Sequence, residues 1–298
     1  MAEAVGLGDR VFTRPKRASW VRRQLALAKK KPVGAFAMFL ILALLFIAVF
    51  SPLISPFDPN ELRPQERLQA PNTTYWLGTD QVGRDVLSRL MWGARISIYV
   101  GILAVGIGIG AGSIIGLISG YFGGKVDLVL QRVVDTMMAF PLLIFALVLV
   151  TVLGPGITNM MIAIGVAVAP GDSRVIRSAV LAIKENTYVE AGRAVGITNT
   201  RMILKYILPN VMAPIIVLAS LLVAAAIITE ASLSFLGLGV QPPTPSWGNM
   251  LSAEGRRYME LAPWLAVAPG FCIMITVLAY NLFGDTLRDI LDPRLRGT

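Results

Sequence analysis

Long apolar runs alternate with short polar segments along most of this chain. The first run lies in residues 34–57, where no side chain is charged. About 20 apolar residues suffice for a helix to cross a hydrocarbon core of about 30 Å. Further runs, some of them interrupted by charges, occupy residues 96–124, 129–153, 157–181, 208–235 and 263–283. The pattern predicts an all-α integral membrane protein with six transmembrane helices.

Glycine and proline residues distinguish two of these runs from the others. In the second run, Gly106, Gly110 and Gly116 predict a close approach by a neighbouring helix, because small residues let backbones meet in lipid. In the fourth run, the pair Pro170 and Gly171 predicts a kink.

Two polar segments connect runs and have contrasting compositions. Residues 58–95 are mixed in charge, and the helical spacing of Val86, Leu87 and Leu90 predicts an interfacial helix that leads into the second run. Residues 236–261 are rich in proline, which predicts a loop.

Composition and charge agree with a membrane protein and suggest its orientation. Of the 298 residues 55% are hydrophobic and only 15% are charged, whereas a soluble domain has about 25% charged residues. Nine Lys or Arg residues fall in residues 10–31, directly before the first run. This positive-inside pattern predicts that the N-terminus is cytoplasmic and, with six spans, that the C-terminus is too. The five Arg residues of 58–95 are discordant, but the basic tail outweighs them. The net charge of +9 therefore indicates a membrane surface and no nucleic-acid partner.

Several kinds of chemistry are excluded by residues that the sequence lacks. The chain has no histidine, which excludes a Ser-His-Asp triad and metal sites that contain histidine. Its single cysteine, Cys272, cannot form an internal disulfide. The segment "GYFGGK" (120–125) is not a phosphate-binding loop. That loop requires glycine at the position of Ser119, directly before the segment, and Ser or Thr at the position of Val126, directly after it. We therefore expect a chain that is not an enzyme and binds no cofactor or metal.

A polar segment, "TYVEAGRAVGITNTRMILKYILPN", lies between the fourth and fifth runs. Thr187 and Glu190 have the spacing of a capping box, which predicts a helix from Tyr188, and Gly196 is placed to end it. The residues "TNT" predict a second short helix from about 200, which Leu208-Pro209 breaks or redirects. Two short helices at an angle suit a groove on another protein. The alternative is a plain loop in which Glu190 is a cap and Gly196 a terminator.

This segment resembles the EAA loop found in permease subunits of ABC importers. Glu190, Ala191, Gly196, Leu208 and Pro209 fit the spacing of that loop. The third alanine of the family pattern is replaced by Gly192, and the family's isoleucine position is taken by Tyr206. Other segments between residues 76 and 295 resemble the second-permease class of dipeptide, oligopeptide and nickel importers: "WLGTDQVGRDVLSRLMWGARIS", "EASLSFLGLGVQPPTPSWGNML" and "NLFGDTLRDILDPRL".

The resemblance implies a function and a set of partners. It implies a non-catalytic subunit in the bacterial inner membrane that imports di- or oligopeptides, with nickel chelates or glutathione as alternative cargo. Its partners would be a second homologous permease, two ATPase subunits that hold ATP and Mg²⁺, an extracytoplasmic binding protein and membrane lipid. A secondary transporter is the alternative class. The residues implied in ATPase coupling are Glu190, Ala191, Gly192, Arg193, Gly196, Arg201, Leu208 and Pro209.

The apolar runs, the charge pattern and the resemblance together divide the chain. A basic cytoplasmic tail (1–33) and the first transmembrane helix (34–57) precede an outer-face loop with an interfacial helix (58–95). An importer-type permease core of five helices (96–286) contains the coupling loop at 184–207, and a cytoplasmic tail (287–298) follows.

Three further features each leave two interpretations open. Glu230, near the outer end of the fifth run, is a pathway candidate or an interfacial carboxylate bonded to Ser232 or Ser234. Asp135 is a pathway candidate or the partner of Arg132 in an ion pair. A proline-rich stretch meets the binding protein or is only a connector; its candidate residues are Gln241, Pro242, Pro243 and Trp247.

Overall fold

The computed structural model describes residues 31–252 and 257–291, and these residues are mostly helical. They contain no strand, only an isolated antiparallel bridge between Thr79 and Asp85. The predicted all-α class is thereby confirmed for the described part of the chain. Most of the basic tail and residues 292–298 lie outside it. The helices are α1 (Pro32–Ile54), α2 (Val86–Phe122), α3 (Gly124–Met138), α4 (Leu142–Leu153), α5 (Ile157–Lys184), α6 (Thr187–Ala194), α7 (Asn199–Met202), a π-helical segment (Ile203–Ile207), α8 (Leu208–Phe235), α9 (Trp247–Met250) and α10 (Trp264–Leu291).

Four helical stretches of the described chain are long and apolar enough to cross a membrane. They are α1, α2, α10 and the continuous stretch Asn199–Phe235, which joins α7, the π-helical segment and α8. A fifth is obtained if α3 and α4 count as one broken span. The 28-residue helix α5 is not among them, since its second half carries Asp172, Arg174 and Arg177. Length and composition thus support four or five spans rather than the predicted six.

The third apolar run is broken where the sequence predicts one helix. The helices α3 and α4 meet at 92°, and Pro141 directly precedes α4. Proline restricts the residue before it and cannot donate a backbone hydrogen bond, which favours a break at this point. Charged residues such as Asp127 and Asp135 also make α3 amphipathic, unlike the uniformly apolar α4.

The predicted interfacial helix leads directly into the second span, because α2 runs without interruption through 37 residues. Its start is fixed by Asp85, whose carboxylate accepts a hydrogen bond from the Ser88 N–H at 2.8 Å. A helix break at Leu208 and Pro209 is wrong, because the chain is helical through both residues. The π-helical segment ends directly before them, and Pro209 occupies the first turn of α8, where a missing N–H costs little.

The centre of the bundle is the contact between α2 and α5. Glycines recur every fourth residue along α2, and a Cβ atom on any of them would lie within 3 Å of α5; these are Gly108, Gly112, Gly116 and Gly120. Two of the three predicted glycines are therefore wrong, since Gly106 and Gly110 face open space. Helix α5 remains helical through Pro170, and Asp172 is buried against α2 near Gly112.

The bundle has two different ends, which we call the connector end and the loop end. The connector end contains residues 185–207 between α5 and α8. The loop end contains residues 55–85, 236–252 and 257–263. The helices α2 and α5 both run from the loop end to the connector end. At the loop end, Arg84 Nε lies 2.6 Å from Asp80 Oδ2 in a largely buried ion pair.

Candidate coupling site

The connector begins with a short helix whose start differs from the predicted one. Helix α6 begins at Thr187 and its N-cap residue is Asn186, which makes no side-chain cap. The Asn186 amide instead donates to the Ile183 carbonyl oxygen at 2.8 Å. The predicted capping box between Thr187 and Glu190 is therefore wrong. The side chain of Glu190 is exposed and available for another partner.

The predicted end of this helix is confirmed. Gly196 has φ of +77°, a left-handed conformation that glycine adopts without a Cβ penalty. Its N–H donates to the Arg193 carbonyl oxygen at 2.9 Å, and the Ile197 N–H donates to the Gly192 carbonyl oxygen at 3.0 Å. This pair of bonds is a Schellman motif, which satisfies carbonyl groups that the helix end would otherwise leave unpaired.

The inner side of α6 is anchored in a hydrophobic cluster. Val189 and Met202 are fully buried, and the cluster also contains Ile176, Val180 and Ile207 from the adjoining elements. The connector is thus packed onto the bundle and does not project from it as an isolated pair of helices.

The packing gives a reason for Gly192. A Cβ atom on this residue would lie 2.5 Å from Met202 Cε and 3.3 Å from Ile197 Cδ1. An alanine here would therefore require Met202 to move.

The outer side of α6 presents most of the predicted contact residues. Of these residues Gly192 is buried and Leu208 is partly buried. The others are exposed: Glu190, Ala191, Arg193, Gly196, Arg201 and Pro209. Two apolar side chains, Tyr188 at 41% and Val195 at 78% exposure, extend this surface and were not predicted. Their spacing with Ala191 is three and four residues, the spacing of one helix face. This spacing is the signal that could have identified them.

The connector is also attached to the end of α2. The Tyr121 hydroxyl donates to Asn199 Oδ1 at 2.7 Å. The guanidinium group of Arg193 lies 5.5 Å from the centre of the Tyr121 ring, within the range of a cation–π contact. Sequence reasoning missed Tyr121 because no local pattern links positions that are 78 residues apart.

Ion pairs connect α3 to α5 near the same end. Arg177 Nε lies 2.6 Å from Asp127 Oδ1 in a pair that involves both carboxylate oxygens, and Ser119 of α2 also bonds to Asp127. Asp135 pairs with Arg174 of α5. The predicted alternative of an Asp135–Arg132 ion pair is therefore wrong, because the two helices supply a partner across their contact.

Glu230 lies at the loop end and is completely buried. The Ser234 hydroxyl donates to Glu230 Oε1 at 2.8 Å, which is one of the two alternatives that the sequence left open. The Ser97 hydroxyl of α2 and the Ser246 hydroxyl before α9 also lie close to the carboxyl group. Oε2 nevertheless has no hydrogen-bonding partner among the described residues. The predicted bond to Ser234 is therefore present, and the carboxyl group that accepts it is buried within the bundle.

The proline-rich stretch divides into exposed and buried parts. Gln241, Pro242 and Pro243 are exposed, and the first two line a cleft of about 150 Å³ at the loop end. Trp247 is only 1% exposed, and its indole Nε1 donates to the Leu90 carbonyl oxygen at 3.0 Å. Trp247 is therefore wrong as a docking residue: it holds the stretch to α2.

Comparison with protein families gives two matches. The model of the binding-protein-dependent transport system inner membrane component matches residues 112–297. The model of the N-terminal transmembrane domain of oligopeptide transport permease C matches residues 22–71.

Curated relatives match over nearly the full length. The dipeptide transport system permease protein of Alkalihalophilus pseudofirmus is 42% identical, over 90% of this chain and 88% of the relative. The di/tripeptide transport system permease protein of Pseudomonas aeruginosa is 43% identical over 87% of both chains. The glutathione transport system permease protein of Pectobacterium atrosepticum is 39% identical, over 97% of this chain and 94% of the relative.

A solved structure supports the fold. A chain of the inward-facing MetNI methionine ABC transporter aligns with a TM-score of 0.56 and 18% identity, over 69% of this chain and 97% of that one. The chain thus has the fold of an importer permease core. It belongs to the family of binding-protein-dependent transport system inner membrane components. Within that family its relatives are second permeases of peptide ABC importers, which confirms the resemblance found in the sequence.

Proposed function

We propose that this chain is a membrane-spanning subunit of an ATP-driven importer in a bacterial inner membrane, and that it translocates di- or oligopeptides delivered by an extracytoplasmic binding protein. The observation that carries the proposal is helix α6. Its inner side is anchored by Val189 and Met202, its end is fixed by Gly196, and it presents Glu190 and Ala191 outward. A short helix that is packed firmly against the bundle can transmit displacement to the bundle from a partner that docks on its outer side.

The partners proposed for this surface are two ATPase subunits. The ATPases hold ATP and Mg²⁺ and carry out hydrolysis, whereas this chain contributes contacts and no catalysis. Binding at one site can change another only through different affinities for two conformations. We assign the ATPase contact to the exposed residues around Glu190, Arg193 and Arg201, together with Tyr188 and Val195. A second homologous permease completes the translocation path.

The proposed topology has six spans, with both termini in the cytoplasm. Lys31 Nζ lies 2.7 Å from Asp289 Oδ2, which brings the start of α1 and the end of α10 to the same side. Arg288 shares a cleft with Ala213 and Pro214 of α8, so this side is also the connector end. Helix α5 serves as the sixth span, since Asp172 is buried against α2 and its two Arg residues have ion-pair partners. The loop end then faces outward, and Gln241 and Pro242 are available to the binding protein.

Peptides are the proposed cargo because relatives that match over most of the chain bear the names of dipeptide and di/tripeptide permeases. Glutathione is itself a peptide-like molecule, and the relative named for its transport is nearly as similar. Glutathione and nickel chelates are therefore the alternatives that a cargo assay must include.

The experiment is reconstitution of the whole complex in proteoliposomes with its binding protein. We expect uptake of radiolabelled dialanine that requires both ATP and the binding protein. Glu190→Ala should reduce uptake while the permease still inserts, and Asp285→Ala is the matched control, since Asp285 is an exposed carboxylate of α10 outside the connector. Gly196→Pro should abolish uptake, because proline can neither adopt φ of +77° nor donate the bond to Arg193.

Each result bears on a particular part of the proposal. Normal uptake by Gly196→Pro at wild-type expression would contradict the coupling role of the connector. Uptake of glutathione without dialanine would contradict the assignment of general peptides as cargo. Uptake driven by an ion gradient without the ATPases would indicate a secondary transporter.

A further inference from the structure

Tyr121, at the connector end of α2, is an almost completely buried phenol with two contacts to the connector. It is 5% exposed, its hydroxyl donates to Asn199 Oδ1 at 2.7 Å, and Arg193 covers its ring. Arg193 belongs to α6, whereas Asn199 begins α7. One side chain of α2 therefore contacts both helices of the connector, on either side of the turn at Gly196.

The three helices around the connector are attached to it in different ways. Helix α5 leads into α6 through residues 185–186, and α7 continues through the π-helical segment into α8. Displacement of the connector must therefore pull on α5 and α8 through the chain itself. Helix α2 is remote in sequence from the connector and packs closely on α5 through its glycines, whereas Tyr121 supplies the polar contacts with the connector itself that are described above.

Helix α2 reaches the loop end of the molecule. It is continuous over Val86–Phe122, and at 1.5 Å per residue the 31 positions between Leu90 and Tyr121 span roughly 46 Å. At its far end the Leu90 carbonyl oxygen accepts the bond from Trp247, which holds the proline-rich stretch. A shift of α2 at Tyr121 would therefore displace the Leu90 carbonyl oxygen to which this stretch is bonded.

We propose that Tyr121 is a positioning residue that fixes the connector to α2, so that displacement of α6 by an ATPase moves α2 together with α5 and α8. This inference rests on the proposed function. Loss of the Tyr121–Asn199 bond leaves the exposed docking surface unchanged, but α2 is then displaced less than the connector is. ATP is then hydrolysed without a matching opening of the loop end.

The test compares Tyr121→Phe and Asn199→Ala in the complete complex reconstituted in proteoliposomes. Both variants should co-purify with the ATPases and retain basal ATP hydrolysis. Dialanine uptake per ATP hydrolysed should fall about fivefold, the effect of losing one neutral hydrogen bond from the coupled state. The double variant should be no worse than either single one, because both remove the same bond. Tyr99→Phe is the matched control, since Tyr99 lies on the same helix with 52% exposure.

The ratio of uptake to hydrolysis separates transmission from simple structural support. An unchanged ratio in Tyr121→Phe would overturn the inference, as would losses that add in the double variant. Loss of ATPase co-purification would also overturn it, because the bond would then be needed for docking. Should the unaltered complex show no ATP-driven uptake of dialanine or glutathione, the proposed function itself would fail, and this inference with it.

Discussion

Glu230 is completely buried and pairs with no cation among the described residues, and such a carboxyl group is costly to keep ionised in the interior of a membrane protein. Hydroxyl groups from three parts of the chain lie close to it: Ser97 of α2, Ser234 of α8 and Ser246 at the start of α9. These contacts bring two helices and the proline-rich stretch together. We therefore interpret Glu230 as a residue that joins the loop end, in preference to a gate on the transport pathway.

This interpretation makes opposite predictions for two substitutions at Glu230. Glu230→Gln keeps the shape and an oxygen that can accept the Ser234 bond, so uptake should persist. Glu230→Ala leaves buried hydroxyls unpaired and a cavity, which should cost about 2–5 kcal/mol of stability. Thermal unfolding of the purified complex and peptide uptake measure the two effects. Abolished uptake in a normally assembled Gln variant would support the pathway role instead.

At the scale of elements, the pairing of α2 with α5 depends on close backbone approach. Gly112 shows this most clearly, because a Cβ atom there would lie 2.8 Å from the Ala169 carbonyl oxygen. A backbone oxygen inside a helix cannot rotate away as a flexible side chain can. The pairing also buries Asp172, whose charge would otherwise oppose placing α5 in lipid.

Gly112→Ala should therefore destabilise the bundle by about 1–3 kcal/mol, the usual cost of overpacking a close contact. Gly110→Ala is its matched control on the same helix, two positions away, where a Cβ atom meets nothing within 4 Å. The control should be neutral or slightly stabilising, since alanine favours helix more than glycine does. Thermal unfolding of both variants in detergent tests the difference, and equal midpoints would show that the two helices separate easily.

At the scale of the molecule, the features that the sequence predicted correctly are those that depend on residues close together in the chain. The apolar runs identified the helical class, and the Schellman glycine Gly196 follows from short-range backbone geometry. Contacts between distant segments were not predictable in the same way. The Tyr121–Asn199 bond and the Asp135–Arg174 pair depend on how helices pack, and the latter replaced a plausible local partner. The break before α4 was missed because hydrophobicity alone does not reveal a bend of 92°.

The proposed orientation of the whole molecule is tested by labelling single cysteines from one side. The chain has one native cysteine, Cys272, so its replacement by alanine gives a background without thiols. Gln241→Cys should react with a membrane-impermeant maleimide in intact spheroplasts, because the loop end faces outward. Val195→Cys, at a connector residue with 78% exposure, should react only after permeabilisation. The reverse pattern would place the connector outside, where no ATPase could reach it, and would exclude both the topology and the coupling site together.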